Sequence, residues 1–167
     1  AGKPIYKLYN NRFNKHYPDE ITKENSQSNG ALMRAYPLAF IDDPDIIRID
    51  VGITNPSELV QTAVFAYITA IKMALSGNSK EEIKIAVRNI HMDEPLSVAF
   101  EQACNGEFRD VTCARGHIVH AFYCAFWGLF RFDNYKTAID SIISLSPEEG
   151  VPAKICEPGN WKKKEVR

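Results

Sequence analysis

The chain has 167 residues, 45% of them apolar and 25% charged, with a formal net charge of −1. That composition describes one soluble globular domain able to bury a single core, and it excludes a disordered, fibrous or membrane-embedded chain. The balanced charge gives no general attraction for nucleic acid or anionic lipid, so neither is expected as a partner.

The N-terminus lacks the basic, apolar and small-residue layout of a secretory signal, and no apolar run approaches the roughly 20 residues of a membrane helix. The expected location is cytoplasmic. The first residue is Ala1 rather than Met, which predicts further chain upstream. Residues 1–27 are polar and weakly periodic, with Pro4 and Pro18, and read as loop with a short helix around Lys7–Lys15.

From Ala31 to Ile41 the apolar positions Leu32, Met33, Tyr36, Leu38, Ala39 and Phe40 predict a helix that starts at a Ser28-Asn29-Gly30 corner and bends at Pro37. Asp42-Asp43-Pro44-Asp45 reads as a turn. "IIRIDVGI", residues 46–53, alternates well enough for a strand and suits an acidic-flanked helix end equally well. Thr54-Asn55-Pro56-Ser57-Glu58 predicts a helix start, with Thr54 or Asn55 as the cap and Pro56 in the first turn.

The helix that follows, Leu59 to Leu75, is apolar around most of its circumference and should lie between other helices before ending at Gly77. Ser79 with Glu82 forms a capping-box pattern, opening a helix to about Ile90 whose stripe is Ile83, Ala86, Val87 and Ile90. Pro95 opens another through Leu96, Ala99, Phe100 and Ala103 to Gly106. A dense apolar helix from Arg115 to Phe130 and a last helix capped by Asp133 or Asn134, reaching Leu145, complete an all-α fold class. Residues 1–145 form the domain, and residues 146–167 an irregular tail with three prolines and a basic end.

Chemistry-bearing clusters are few. The cysteines Cys104, Cys113, Cys124 and Cys156 show no CxxC spacing and read as reduced, buried thiols. Cys113, His117, His120 and Cys124 would share one helix face, but at 1.5 Å rise per residue they spread over about 16 Å, too far for one zinc ion. His16 and His91 are isolated. Asp42, Asp43, Asp45 and Asp50 do not match an EF-hand and read as a solvated turn. Lys162-Lys163-Lys164 beside Trp161 reads as a solvated tail. Nucleophile elbows and Walker or dinucleotide loops are absent. What remains is the Gly30 corner, where a chain turning into a helix directs backbone N–H groups outward at its positive end. That arrangement suits an anion such as phosphate, and Ser-Asn-Gly is also a common turn.

Three segments in order carry a resemblance: "SNGALMRAYPLAF", "DVGITNPSELVQTAVFAYITAIKMALSG" and "ARGHIVHAFYCAFWGLFRFDNYKTAIDSIISL". Together they resemble the ADP-ribosylglycohydrolase family, similar to dinitrogenase-reductase-activating glycohydrolase. The first resembles the family's Asn-Gly-x-x-Met-Arg loop and helix. The second resembles its Thr-His followed by a long apolar helix, and the third the helices that lead into its binuclear metal motif.

The resemblance implies a helical domain that binds ADP-ribose or an ADP-ribosylated substrate, with two magnesium ions beside the ribose whose glycosidic bond is cleaved. Ser28 and the backbone of Asn29, Gly30 and Ala31, with Leu32 and Met33, would line the diphosphate and ribose. Thr54 and Asn55 would lie toward the adenosine, and Arg34 would pair with a carboxylate or a helix end.

This sequence also departs from the family pattern. Asn55 stands where the family usually has His, and "SIISL" runs into "SPEEGVPAKIC" in place of Gly-Gly-Asp-Thr-Asp-Thr. The early acidic motif is missing too, with Asp19 a poor stand-in for it and Glu148 and Glu149 poor ones for the late motif. The chain is therefore expected to be the middle portion of such a protein, to hold no magnesium by itself, and to be inactive alone. The alternatives are a non-catalytic ADP-ribose or nucleotide binding module, and a helical interaction subunit completed by a second chain or another copy.

Overall fold

A computed structural model describes residues 26–111 and 116–144 of the chain. All regular structure among them is helical: α1 Gly30–Arg34, a 3-10 turn Tyr36–Phe40, α2 Pro44–Thr54, α3 Glu58–Leu75, α4 Lys80–Arg88, α5 Leu96–Asn105, α6 Ile118–Arg131 and α7 Tyr135–Ser144. The expected all-α class is the one the chain adopts. The N-terminal loop expectation up to residue 25, the tail 146–167, His16, Asp19, Cys113, Glu148, Glu149 and Cys156 lie outside the described residues.

Prolines correct two of the expected boundaries. In place of one bent helix from Gly30 to Ile41 there are a five-residue α1 and a separate 3-10 turn. Pro37 has no N–H to offer the Met33 carbonyl, so the α pattern stops before it. Likewise Thr54 and Asn55 do not open α3 but close α2, where the Asn55 N–H bonds the Val51 carbonyl at 2.9 Å. The residue before a proline is driven out of the α region, and Asn55 accordingly has φ −141° and ψ 79°. Helix α3 then begins after Pro56, with Ser57 at its N-cap and no side-chain cap bond.

Residues 46–53 are helical within α2. The Asp42–Asp45 turn is corrected with them, because Asp43 is the N-cap. Its Oδ1 accepts from the N–H groups of Asp45 at 2.9 Å and Ile46 at 3.4 Å, and Pro44 fills the first helical position. Ile47, Val51 and Thr54 are the buried positions, a helical rather than an alternating pattern.

Helix α3 runs through the middle, packed against α1, the 3-10 turn, α2, α4 and α6. Its alanines Ala63, Ala66 and Ala70 are buried and allow close approach, beside Val60, Val64 and Ile68. Phe65 and Leu75 are exposed, so the helix is covered on fewer sides than its composition predicts. With 18 residues and a mean hydropathy of 1.3 it is also long and apolar enough to cross a membrane, which the reading of apolar runs did not anticipate.

Helix α4 starts on the predicted capping box: the Ser79 N–H donates to Glu82 Oε2 at 2.8 Å, and the Glu82 N–H donates to Ser79 Oγ at 3.3 Å. Helix α5 ends at Gly106 in the left-handed region, φ 70°. Its Phe100 meets Phe126 of α6 edge-on at 5.0 Å and Phe130 at 5.9 Å, contacts that add to the area they bury. Tyr123, fully buried, donates to the Glu107 carbonyl at 2.6 Å. Asn134 caps α7 by accepting the Thr137 N–H at 3.2 Å, and α7 carries no fully buried residue.

Candidate functional site at the Asn29–Gly30 corner

The start of α1 is held from two directions. Residues 27–29 pair antiparallel with residues 116–118, forming a single bridge between Ser28 and His117. The Asn29 N–H donates to the Gly116 carbonyl at 2.7 Å, and the Ile118 N–H donates to the Gln27 carbonyl at 2.9 Å. The corner is therefore bonded to the start of α6, nearly ninety positions later in the chain. Gly116 has φ +86°, a conformation that side chains rarely adopt.

The second support is Asn55, which is 1% exposed. Its Nδ2 donates to Ser28 Oγ at 3.0 Å and to the Ser28 carbonyl at 3.3 Å, and it lies 3.4 Å from the Ser26 carbonyl. A buried amide is stable only when bonded in this way. Asn55 was read as capping its own helix, and it instead reaches back across 27 positions to the corner.

Arg34, at the other end of α1, donates to the Asp50 carboxylate, to the Asp50 carbonyl at 2.7 Å and to Thr54 Oγ1 at 2.9 Å. It pairs with both a carboxylate and a helix end, as the resemblance implied. Thr54 is thereby engaged with Arg34 and buried.

The structure does not treat the sequence-predicted residues alike. Ser28, Asn29, Gly30 and Asn55 come together. Ala31 and Leu32 turn into the core at 1% and 6% exposure, so only their backbone can face a ligand. Met33 is 76% exposed. Asn29 occupies the N-cap of α1 without accepting a first-turn N–H. The opening N–H groups of α1, which have no intrahelical acceptor, are therefore not capped by that side chain.

Sequence reasoning missed Gln27 and His117 at this site. His117 was weighed as a member of a one-helix metal row, but α6 begins at Ile118, with His117 as its N-cap. Its Nδ1 accepts the Val119 N–H at 3.2 Å, and its Nε2 lies 2.9 Å from Gln27 Oε1. Burial, followed by the charge of Arg109, holds the imidazole below the usual histidine range. The available signal was Gly116, which marks a turn directly before the apolar run.

No three His, Cys, Asp or Glu side chains converge as a metal site among the described residues. Asp50 is engaged with Arg34, Asp43 caps α2, and Asp42 pairs with Lys72 at 3.1 Å. Two magnesium ions need several convergent hard oxygen ligands, and these residues do not fit them. Cys104 and Cys124 are half-buried free thiols rather than fully buried ones; burial pushes Cys104 up to about 11 and Cys124 upward as well.

Clefts of comparable size lie elsewhere, and two of them are the following. One of about 500 Å³ is lined by Ile47, Arg48, Gln61, Phe65 and His91, and an apolar one of about 530 Å³ by Tyr67, Ile71, Phe126, Leu129 and Ile139.

Neither a curated protein nor a solved structure matches the chain. A family model described as ADP-ribosylglycohydrolase matches residues 5–149, which spans α1 to α7 and therefore the whole corner. The chain belongs to the ADP-ribosylglycohydrolase family.

Proposed function

We propose that this chain carries the ADP-ribose-binding part of an ADP-ribosylglycohydrolase without the metal acids that cut the glycosidic bond. The observation that carries the reading is the corner itself. The family-like stretch Ser28–Arg34 is braced by α6 through the Ser28 bridge, by Asn55 and, through Arg34, by α2. A backbone held on so many sides is preorganised, and its opening N–H groups can take a diphosphate without reordering. The Ser28 hydroxyl and the Asn29 side-chain amide stand next to them as further donors. The sequence has no Gly-Gly-Asp-Thr-Asp-Thr after α7, so the parent reaction, hydrolysis of an ADP-ribosyl bond, is not expected from this chain alone. Isothermal titration with ADP-ribose in chelator tests the binding half, and unchanged affinity without metal is the expected result. Release of ADP-ribose from a modified protein in a Mg²⁺-dependent manner by the purified chain would overturn the inactive half.

A second reading is favoured by the exposed face of α2, where Ile46, Ile49 and Ile53 stand 47%, 67% and 44% exposed at helical spacing. Apolar stripes of this kind mark interfaces, and an interaction subunit completed by a further chain would use one. Sedimentation that shows a stable, monodisperse monomer counts against it.

A further inference from the structure

We infer that the apolar cleft between α3, α6 and α7 binds a small uncharged molecule, largely hydrocarbon, that carries a hydrogen-bond acceptor for the Tyr67 hydroxyl. The cleft is formed by the second halves of α3 and α6, whereas the Gly30 corner lies at their starts. The inference therefore stands apart from the ADP-ribose reading.

The space is open because short side chains face it. Ala74 of α3, Ala125 of α6 and Ala138 of α7 put only methyl groups into the lining, beside Ile71, Leu129 and Ile142. Helix α7 has no fully buried residue, and its Ile139 is 36% exposed on the cleft wall. A ligand here would cover apolar surface that the chain leaves to water. The cleft measures about 530 Å³, within the range of small-molecule sites, about 300–1,000 Å³. One turn of an α-helix, about 10 Å across and about 5.4 Å tall, fills about 420 Å³, so a partner helix could place little more than a turn in it. The room suits a compact molecule.

The polar part of the lining sets the charge of the occupant. Lys80 and Asp133 are the charged side chains of the cleft, and they are spent on each other. Lys80 Nζ donates to Asp133 Oδ1 at 2.6 Å and to the Phe132 carbonyl at 2.7 Å. A charged ligand would have to break this pair or enter apolar surroundings without a counter-ion, and either route costs more than burying a neutral molecule. Asn134 and Tyr135 are exposed, and Asn134 Oδ1 is engaged as the cap of α7. Tyr67 differs from them. It is half-buried, burial alone pushes its phenol upward, and its hydroxyl has no hydrogen-bond partner among the described residues. A phenol set in an apolar wall is a donor that a carbonyl oxygen satisfies. Apolar walls with one such polar group are the pattern of a small-molecule site.

The test titrates the full chain, ¹³C-labelled at its methyl groups, with butyrophenone and with butylbenzene, which has the same frame without the carbonyl. Saturable shifts are expected for both at Ile71, Leu129, Ile139 and Ile142, with none at Ile47 or Val51 of the other cleft. Tyr67→Phe keeps the ring and removes the donor. It should lower butyrophenone affinity by about threefold to tenfold, the worth of one hydrogen bond, and leave butylbenzene affinity unchanged. The anion 4-phenylbutyrate and the cation 4-phenylbutylammonium should bind more weakly than butyrophenone. Ala74→Phe fills the cleft from an exposed position of α3, so it should remove binding of both neutral compounds while urea unfolding shows the fold retained. The absence of saturable shifts with either neutral compound overturns the inference, as it would if a second copy or other residues of the chain already cover the cleft. Tighter binding of either charged compound than of butyrophenone overturns it too. So does an equal loss of both neutral compounds in Y67F, which would make the Tyr67 hydroxyl a structural group rather than the ligand's donor.

Discussion

Replacing Asn55 by Ala probes the corner most sharply. The Asn55 Nδ2 faces four acceptors on Ser26 and Ser28 between 3.0 and 3.5 Å, but its two hydrogens can serve only two of them well. At about 1 kcal/mol net per bond, Asn55→Ala removes about 2 kcal/mol, and an acceptor left unbonded in a water-poor site adds about another 1 kcal/mol. The expected loss of about 3 kcal/mol lowers Tm by about 6–12 °C for a chain of this size. Urea unfolding followed by far-UV circular dichroism measures it. Ser28→Ala and the double variant complete a cycle, which should give a coupling of at least about 0.5 kcal/mol. A loss below about 1 kcal/mol, or strictly additive single variants, would refute the claim that this amide braces the corner.

Other perturbations reach the same frame from different sides. Gly116→Ala must place a side chain at φ +86°, so a loss of about 1–2 kcal/mol in urea unfolding is expected, together with faster amide exchange at Asn29. Ser79→Ala breaks the capping box of α4 and should cost about 1 kcal/mol while leaving ADP-ribose affinity unchanged, since α4 does not contribute to the corner. Stability should also depend on pH through His117, whose native value lies below its unfolded one. Above the unfolded value of about 6.5 both states are neutral and the full stability is present. As pH falls below it the unfolded chain takes the proton first, and stability drops until the pH passes the depressed native value. Urea midpoints across that window should fall with acid, and less steeply for H117N.

The fold was readable wherever local chemistry acts alone. The Ser79 capping box, Gly106 as a left-handed stop and the Asn134 cap each depend on neighbours within four residues. The Gly30 corner was legible too, and the structural role of Arg34 came with the family resemblance rather than from the residues around it. The two proline boundaries were misread because Pro37 and Pro56 suit a bend or a first turn as readily as a break. The site's supports were hidden for a different reason. Asn55 reaches back 27 positions to Ser28, and His117 pairs with Gln27 across 90 positions. No periodicity encodes such a pairing. Asn55 had a plausible local role as a cap and His117 none beyond a place on a helix face, and only packing shows that their polar atoms are spent on the corner.

The central claim, that the corner takes the diphosphate of ADP-ribose without metal, is tested most directly by amide shift mapping on titration with ADP-ribose in chelator. The account predicts saturable shifts concentrated at Gly30, Ala31 and Leu32 and at the Asn55 side-chain amide. Shifts absent at high ligand concentration, or clustered instead around Arg48 and His91 in the cleft between α2 and α3, would contradict it.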